Sequence, residues 1–303
     1  MPPPSDSSSA IPRGGVSCVP LSADAAHNSA SVAPGGTGYV FDNDSFHAHD
    51  QHRCLAEMLD PMTINRLSET GVADGWRCLE VGAGGGSVAV WLAQQVAPSG
   101  TVLATDVKPR HIPQTAGLEV TQHDIVTDPL PQAAFDLIHA RLVLLHLPER
   151  RSVLHRLVRA LRPGGWLQLD EFDITYGPAL LMPDQAAREL YERFLAAKAR
   201  MFRAAGADGA WGKNAPQAMH DFGLIEIDPA VSLQTWRAES AGVGLLLHHT
   251  FHLRDKLIAA GMTDRQLEDI RRLLTDPSFM AISCPIYSIQ GRRPPSGGHV
   301  RLR

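Results

Sequence analysis

Short, almost continuously apolar runs lie along the middle of the chain, and glycine, proline or acidic residues bound each of them. Runs of this length and composition are typical of strands that are buried on both faces of a sheet. They predict strands at residues 76–81, 100–106, 118–125, 135–145 and 166–173.

Segments in which apolar residues recur every three or four positions separate several of these runs. Residues 87–97 carry such a pattern and predict a helix with Ser87 as its N-cap. Residues 148–165 predict a second amphipathic helix, which stops at Pro163 and the two glycines that follow. Strands that alternate with helices in this way predict an α/β fold, in which helices cover both faces of a parallel sheet.

The regular alternation ends near residue 173. The remaining sequence predicts helices at residues 184–202 and 263–274, and late strands at 224–236 and 281–291. Residues 211–223 are expected to lead back to the sheet. Thr263 and Gln266 form a capping box at the start of the last helix. These additional helices indicate segments that lie outside the central sheet.

The N-terminal region has a different composition. The first 37 residues are rich in Pro, Ser, Ala and Gly and predict a disordered tail. Residues 45–60 predict a helix, and residues 60–71 predict a second one with Asp60 as N-cap and Pro61 at its first position. The predicted organisation is a tail at 1–37, a helical cap segment at 38–70, and a main domain at 71–296 with cap insertions near 178–210 and 238–275.

The composition limits the class of protein. The chain has 303 residues and a formal net charge of −4, whereas nucleic-acid-binding surfaces are usually basic, so we expect no nucleic-acid partner. The cysteines, which predict unpaired thiols because they form no CxxC pair, are Cys18, Cys54, Cys78 and Cys284. No apolar run reaches the ~18 residues of a membrane span, and no secretory signal is recognisable, which predicts a cytoplasmic protein.

The stretch LEVGAGGGS concentrates glycine between a predicted strand and a predicted helix. Its spacing is Glu80-x-Gly82-x-Gly84-x-Gly86. Glycines at such a turn bring backbone N–H groups close to a ligand with no side chains in the way. A carboxylate directly before the turn would repel a pyrophosphate and favour a ligand that carries an ammonium group. Glu80 therefore favours a cationic ligand.

The next two strands also end in acids. Asp106 follows the turn by about twenty residues, where a carboxylate can bind both hydroxyls of a ribose. Asp124 is placed to accept a hydrogen bond from the exocyclic amine of an adenine, while Ile125 packs on the ring. A ligand with an adenosine, a cation and no phosphate is indicated, and S-adenosyl-L-methionine fits that description.

Several segments in order resemble the class I S-adenosylmethionine-dependent methyltransferases. LEVGAGGGS resembles the first motif of that family, VLATDV the segment after it, and LRPGGWLQLDE the motif of its fifth strand. GYVFDND and GRRP are similar to a bacterial branch that acts on small molecules, of the natural-product type. The resemblance implies a Rossmann-like sheet of seven strands, mostly parallel with the last one antiparallel, and a helical cap.

The resemblance also implies roles for individual residues. The glycine turn would contact the methionine part of the cofactor, Glu80 its amino group and Asp106 its ribose. Asp124 and Ile125 would contact the adenine, and Val107 would pack beside it. The cofactor-binding residues implied in this way are Glu80, Gly82, Ala83, Gly84, Gly86, Asp106, Val107, Asp124, Ile125, Ala140 and Arg141.

Histidines are candidates for catalysis. His146 is either a general base or a hydrogen-bonded structural residue. His249, within LHHTFH, is a candidate base or substrate contact. No carboxylate or thiol completes a ligand set at helical spacing there, so we expect no metal. The histidines near residues 47–52 are interpreted as a solvated helix face.

The acceptor is less defined than the cofactor. Apolar side chains in the predicted cap suggest a partly apolar small molecule such as a secondary metabolite. A hydroxyl acceptor usually needs a base near pH 7, whereas a neutral amine does not, so O- and N-methylation both stay open. Two other functions also stay open: a nicotinamide-dependent oxidoreductase, and a non-catalytic S-adenosylmethionine-binding regulator. The predicted cap could support a homodimer, although the sequence shows no apolar stripe that would mark the interface.

Overall fold

The computed structural model describes residue 41 and residues 48–296. The predicted tail at 1–37, Cys18 and the beginning of the predicted helix at 45–60 lie outside the described residues. Within the described part, Cys54, Cys78 and Cys284 form no disulfide, as expected. No helix among these residues is long and apolar enough to cross a membrane.

The described residues form ten strands and eight α-helices. The strands are β1 (Arg77–Val81), β2 (Thr101–Asp106), β3 (Leu118–Gln122), β4 (Phe135–Arg141), β5 (Leu161–Phe172), β6 (Ala179–Leu181), β7 (Ile225–Ser232), β8 (Thr235–Arg237), β9 (Met280–Ile282) and β10 (Ile286–Arg292). The helices are α1 (Ala48–Glu69), α2 (Ser87–Val96), α3 (Arg150–Ala160), α4 (Gln185–Ala204), α5 (Trp211–Asp221), α6 (Ala241–His252), α7 (Arg254–Ala259) and α8 (Asp264–Leu274). Short 3₁₀ turns lie at Pro109–His111 and Leu144–His146.

Seven strands form one sheet in the order β3-β2-β1-β4-β5-β10-β7. The strands from β1 to β5 run parallel to their neighbours, whereas β10 is antiparallel to both β5 and β7. This arrangement confirms the predicted α/β, Rossmann-like sheet, mostly parallel with an antiparallel last strand. The strand order reverses between β1 and β4, which is where ligands bind in open α/β sheets.

The two faces of the sheet are packed differently along β1. Cys78 packs with the apolar face of α2, including Leu92 and Val96, whereas Leu79 and Val81 belong to the larger core on the opposite face. These side chains are at most 1% exposed. Burial of each large aliphatic side chain contributes about 1.5–3 kcal/mol, so the alternating pattern fixes which face of each strand meets which helix.

Polar side chains form a continuous row across the middle of one face of the sheet. We call this row the polar stripe; its members are Glu80, His139, Gln168, Asp170, Ser288 and Gln290, all at most 4% exposed. The strand register pairs Glu80 with His139 and His139 with Gln168. Helix α1 covers the stripe and accepts hydrogen bonds from it at the carbonyl oxygens of Thr63 and Arg66.

The N-terminal helix differs from the prediction. One helix, α1, runs through Pro61, and Asp60 caps no second helix. The buried face continues across the proline, from Met58 and Leu59 to Thr63, so tertiary packing outweighs the local break. Asp60 instead forms an ion pair with Arg141.

Other element boundaries also differ. Gly86, not Ser87, is the N-cap of α2, and the Ser87 hydroxyl donates to Asp60 instead. Each of the two late runs divides into two strands. β6, β8 and β9 form a separate three-stranded antiparallel sheet that the sequence did not predict. The capping box of Thr263 and Gln266 is present in α8, as predicted.

Candidate functional site

The glycine turn connects β1 to α2 in a conformation that only glycine adopts easily. Gly82 and Gly84 have φ angles of 64° and 55°, and a Cβ on Gly82 would lie 2.5 Å from Cγ2 of Val143. The turn is fixed by the N–H of Ala83, which donates to the carbonyl of Thr105 at 3.0 Å. The backbone of residues 82–85 is therefore brought to a cavity without side chains that would fill it.

Asp106 lies at the carboxyl end of β2 and is 5% exposed. One carboxylate oxygen accepts the N–H of Gly84 at 3.0 Å, and the other accepts the N–H of Lys108 at 2.8 Å. Both carboxylate oxygens thus accept backbone N–H groups, and the turn orients Asp106 towards the cavity.

The loop after β3 carries the second acid. Asp124 accepts the N–H of Val126 at 2.9 Å, which holds its carboxylate close to its own loop. The guanidinium of Arg156 donates to the carbonyls of Ile125 and Val126 at 2.8 and 2.6 Å. These contacts place Ile125, 7% exposed, as one wall of the cavity.

A cavity of about 520 Å³ lies where β1, β2 and β4 end. The predicted site residues that line it are Glu80, Gly82, Ala83, Gly84, Asp106, Val107, Asp124, Ile125, Arg141 and His146. Gly86, Ala140 and His249 are not part of its lining. Gly86 packs instead against Ile112 and Pro113, and Ala140 is completely buried within β4.

Glu80 makes a contact that the sequence reasoning missed. Its Oε2 lies 2.7 Å from Nδ1 of His139, and Nε2 of the same ring lies 3.2 Å from Oδ2 of Asp170. Burial alone would lower the pKa of His139, but the two carboxylates outweigh it and raise the pKa to about 9. A polar residue inside an otherwise apolar strand, as in FDLIHAR, is the sequence signal for such a buried partner.

Arg141 joins the cavity to helix α1. Its Nη1 donates to Asp60 at 2.8 Å and to the hydroxyl of Thr63 at 3.2 Å. Asp60 also accepts a hydrogen bond from Ser87 at 3.1 Å. These contacts connect α1 with the start of α2 beside the glycine turn. The sequence indicates Asp60 only as a cap, because nothing local shows that it faces Arg141.

His52 on α1 also lines the cavity, contrary to the interpretation of residues 47–52 as a solvated face. His47 lies outside the described residues. A Cβ placed on Gly84 would lie 3.3 Å from Nε2 of His52, so the imidazole lies directly against the glycine turn. Burial, followed by the nearby His111, lowers the pKa of His52 to about 4. His52 is therefore neutral at pH 7.

His146 lies on the 3₁₀ turn after β4 and is 6% exposed. Burial lowers its pKa to about 4, so the imidazole is neutral at pH 7 and a weak base. Its ring meets the ring of Phe202 at a centroid distance of 5.5 Å. Glu171 holds the turn, because its Oε1 accepts the N–H of Leu144 at 2.8 Å.

His249 belongs to a second cluster next to the cavity. Its ring packs on Phe41 at a centroid distance of 5.1 Å, and Phe41 in turn meets His146 at 5.9 Å. Burial, followed by the charge of Lys198, keeps the pKa of His249 well below its ordinary value. Burial also lowers the pKa of Lys198 to about 8. The two predicted catalytic histidines are thus joined through Phe41, and only His146 lines the cavity.

Comparison with known proteins places this site in context. Residues 79–167 match a family model described as "Methyltransferase domain". Methyltransferase str2 of Strobilurus tenacellus is 37% identical over 167 residues, which cover 54% of this chain and 56% of that protein. The 27-O-demethylrifamycin SV methyltransferase of Amycolatopsis mediterranei is 29% identical over 143 residues, which cover 45% of this chain and 53% of that protein.

A solved structure shares the fold. The YcgJ protein from Bacillus subtilis superposes with a TM-score of 0.52 at 15% identity, and covers 77% of this chain and 99% of its own. The chain spans about half the length of the curated relatives that it matches. The matched segment contains the glycine turn, Asp106 and Asp124. Residues 79–167 are therefore similar to a methyltransferase domain, and the chain shares the Rossmann-like fold of the YcgJ protein.

Proposed function

We propose that the protein transfers a methyl group from S-adenosyl-L-methionine to a small-molecule acceptor. The observation that carries this proposal is the convergence of the glycine turn and the carboxylates of Glu80, Asp106 and Asp124 on one cavity. Three acids around a glycine turn disfavour a pyrophosphate and favour a ligand with an ammonium group and a ribose. This charge pattern supports the methyl donor over a nicotinamide dinucleotide.

The residues present fit the proposed cofactor. The backbone of Gly82 to Gly84 would contact its methionine part, and Glu80 would bind its ammonium group. Asp106 would accept the ribose hydroxyls, while Asp124, Ile125 and Val107 would contact the adenine. His52 would add a contact from α1, because its imidazole lies against Gly84. Gly86 and Ala140 would not contact the cofactor directly, and would instead shape the backbone of the segments that line the cavity.

The cofactor supplies an electrophilic methyl group on a sulfonium when it is bound. The protein has to hold the acceptor atom in line with that methyl group and to exclude water. An oxygen nucleophile also has to lose a proton. His146 is placed to accept that proton, because it lines the cavity and sits on a turn that Glu171 fixes. Burial weakens it as a base, so the acceptor has to raise the pKa of His146 when it binds.

The acceptor would approach from the side of Phe41, Phe202 and His249. These side chains pack beside His146 and offer a mostly apolar surface with neutral imidazoles. His249 would contact the acceptor or act as an alternative base after Phe41 moves. A partly apolar hydroxyl-bearing or amine-bearing molecule fits this surface.

The finer assignment is a natural-product methyltransferase. The Amycolatopsis relative is named for methylation of a rifamycin, whereas the Strobilurus relative is named only as a methyltransferase. The similarity therefore does not single out a bacterial branch. The helices α1, α4 and α6 to α8 would form the cap over the acceptor. A homodimer and a cytoplasmic location remain predictions.

Isothermal titration of the full chain with S-adenosylhomocysteine tests the proposal, with NAD as the control ligand. We expect binding of S-adenosylhomocysteine in the micromolar range and no binding of NAD. No binding of the first, or preference for NAD, would contradict the proposed function. Turnover assays with panels of hydroxyl and amine acceptors then distinguish an enzyme from a cofactor-binding regulator.

A further inference from the structure

Burial of the polar stripe costs free energy unless its polar groups are paired. His139 lies within the stripe and is held between two acidic side chains. His139 is completely buried between two carboxylates that come from the neighbouring strands β1 and β5. Its Nδ1 faces Glu80 at 2.7 Å and its Nε2 faces Asp170 at 3.2 Å. A neutral imidazole carries only one N–H and can donate to only one of them. With both carboxyl groups ionised, the geometry therefore requires an imidazolium.

The two carboxylates do not depend on His139 equally. Asp170 also accepts hydrogen bonds from the hydroxyl of Thr63 at 2.6 Å and from Nε2 of Gln168 at 3.2 Å. Among the described residues, His139 is the partner that the structure gives to the carboxylate of Glu80. If His139 were absent, Asp170 would still accept hydrogen bonds from Thr63 and Gln168. Glu80 would lose the imidazolium that neutralises its charge.

A buried carboxylate that loses its charged partner takes up a proton, because burial disfavours its ionised form. The buried carboxylates of Glu80 and Asp170, on the two strands that flank β4, also repel each other. Glu80 is therefore the group that would become neutral if His139 were uncharged or absent. A neutral Glu80 would no longer attract an ammonium group at the glycine turn.

We propose that His139 is a positioning residue for the methyl donor, which keeps Glu80 ionised and oriented towards the cofactor's ammonium group. His139 acts through Glu80 and does not line the cavity itself. The three groups together carry one net negative charge, which favours a cationic ligand beside Glu80. This inference rests on the proposed function, since it requires the cofactor to bind at the glycine turn.

The surroundings of His139 simplify its pH dependence. Glu80 faces it from β1 and Asp170 faces it from β5. Helix α1, which covers the stripe, contributes the neutral Thr63, and Arg141 reaches Thr63 from β4. No other charged side chain of the described residues contacts the imidazole.

The test compares two ligands in the full chain and in the variant His139→Gln. S-adenosylhomocysteine carries the ammonium group, whereas 5′-methylthioadenosine lacks the amino-acid portion. At pH 7 we expect His139→Gln to bind S-adenosylhomocysteine about tenfold more weakly, or worse, and 5′-methylthioadenosine within about twofold of wild type. His155→Gln, an exposed histidine on α3, is the matched control.

Two results would overturn the proposal: wild-type affinity of His139→Gln for S-adenosylhomocysteine, or an equal loss for both ligands. If the wild-type protein itself fails to bind S-adenosylhomocysteine, the proposed function fails instead. Nitrogen-15 NMR of wild-type histidines covers the case of a variant that does not fold. We expect the His139 ring to be doubly protonated at pH 7, and a neutral ring would contradict the proposal.

Discussion

Glu171 offers a quantitative test of the structure that is independent of any ligand. Its carboxyl is completely buried at the end of β5, and its Oε1 accepts the N–H of Leu144 at 2.8 Å. No described residue donates a hydrogen bond to its Oε2. Burial raises the pKa of Glu171 to about 8, even though backbone N–H groups of the turn act in the opposite direction. The native protein thus holds a proton that the unfolded chain releases.

The magnitude follows from the two pKa values. The folded protein binds this proton with a pKa of about 8, and the unfolded chain binds it at about 4.5. The raised pKa gives a stabilising contribution that is complete below pH 4.5 and is lost as the pH rises through 8. One pKa unit corresponds to about 1.4 kcal/mol, so the contribution is at most about 5 kcal/mol. Most of it, about 3 kcal/mol, disappears between pH 5 and pH 8.

The perturbation is Glu171→Gln, which keeps the acceptor for Leu144 and removes the ionisable group. The free energy of unfolding is measured by urea denaturation with tryptophan fluorescence at intervals from pH 5 to pH 8.5. Other buried groups titrate in this range, so the relevant quantity is the difference between wild type and variant. We expect the variant to gain about 3 kcal/mol relative to wild type as the pH rises from 5 to 8.

Glu192→Gln, at an exposed position on α4, is the control and should give a difference that does not change with pH. A constant difference between wild type and Glu171→Gln would mean that Glu171 is ionised in the native protein. A difference of opposite slope would mean that its pKa is lowered. Either result would refute the inference that this carboxyl is buried without a compensating partner.

Three further predictions concern the cofactor and the acceptor. Asp106→Ala should weaken binding of S-adenosylhomocysteine by ~1–3 kcal/mol through the loss of the ribose contacts, and titration calorimetry that finds unchanged affinity would remove Asp106 from the site. Gly82→Ala should lower the free energy of unfolding by more than Gly71→Ala. Both positions have positive φ and would be strained by ~1–2 kcal/mol, but only a Cβ on Gly82 would lie 2.5 Å from Cγ2 of Val143. Equal free energies of unfolding for the two variants would contradict the geometry of the turn. For a hydroxyl acceptor, His146→Gln should lower kcat about 10²–10⁴-fold with the cofactor Kd unchanged, and a retained kcat would exclude His146 as the general base.

The cavity beside the glycine turn was largely predictable, because its signals are local. A glycine turn follows an apolar strand, and acids stand at the ends of the next strands. In a parallel sheet these strand ends lie at the same edge, so the pattern predicts where the cavity lies. Glu80, Asp106 and Asp124 are therefore found where the sequence places them. Gly86 and Ala140 do not line the cavity, because the position along a motif does not show which way a backbone segment faces.

The residues that the sequence did not predict act across the fold. His139 meets Glu80 only through the register of two strands, and Asp60 meets Arg141 only after α1 covers the sheet. Pro61 indicated a helix boundary, but packing on both sides of it outweighed that local preference. The small sheet of β6, β8 and β9 was missed because three-residue strands carry almost no periodic signal.

The position of β10 has a consequence for synthesis of the protein. This strand is the last one in the described part of the chain, yet it lies inside the sheet and pairs with β5 on one side and β7 on the other. While the chain is being made on the ribosome, β5 and β7 have no such partner and keep unpaired backbone edges, which can pair with other chains. The sheet can close only after β10 has been made, so a nascent chain stays exposed to aggregation until that point.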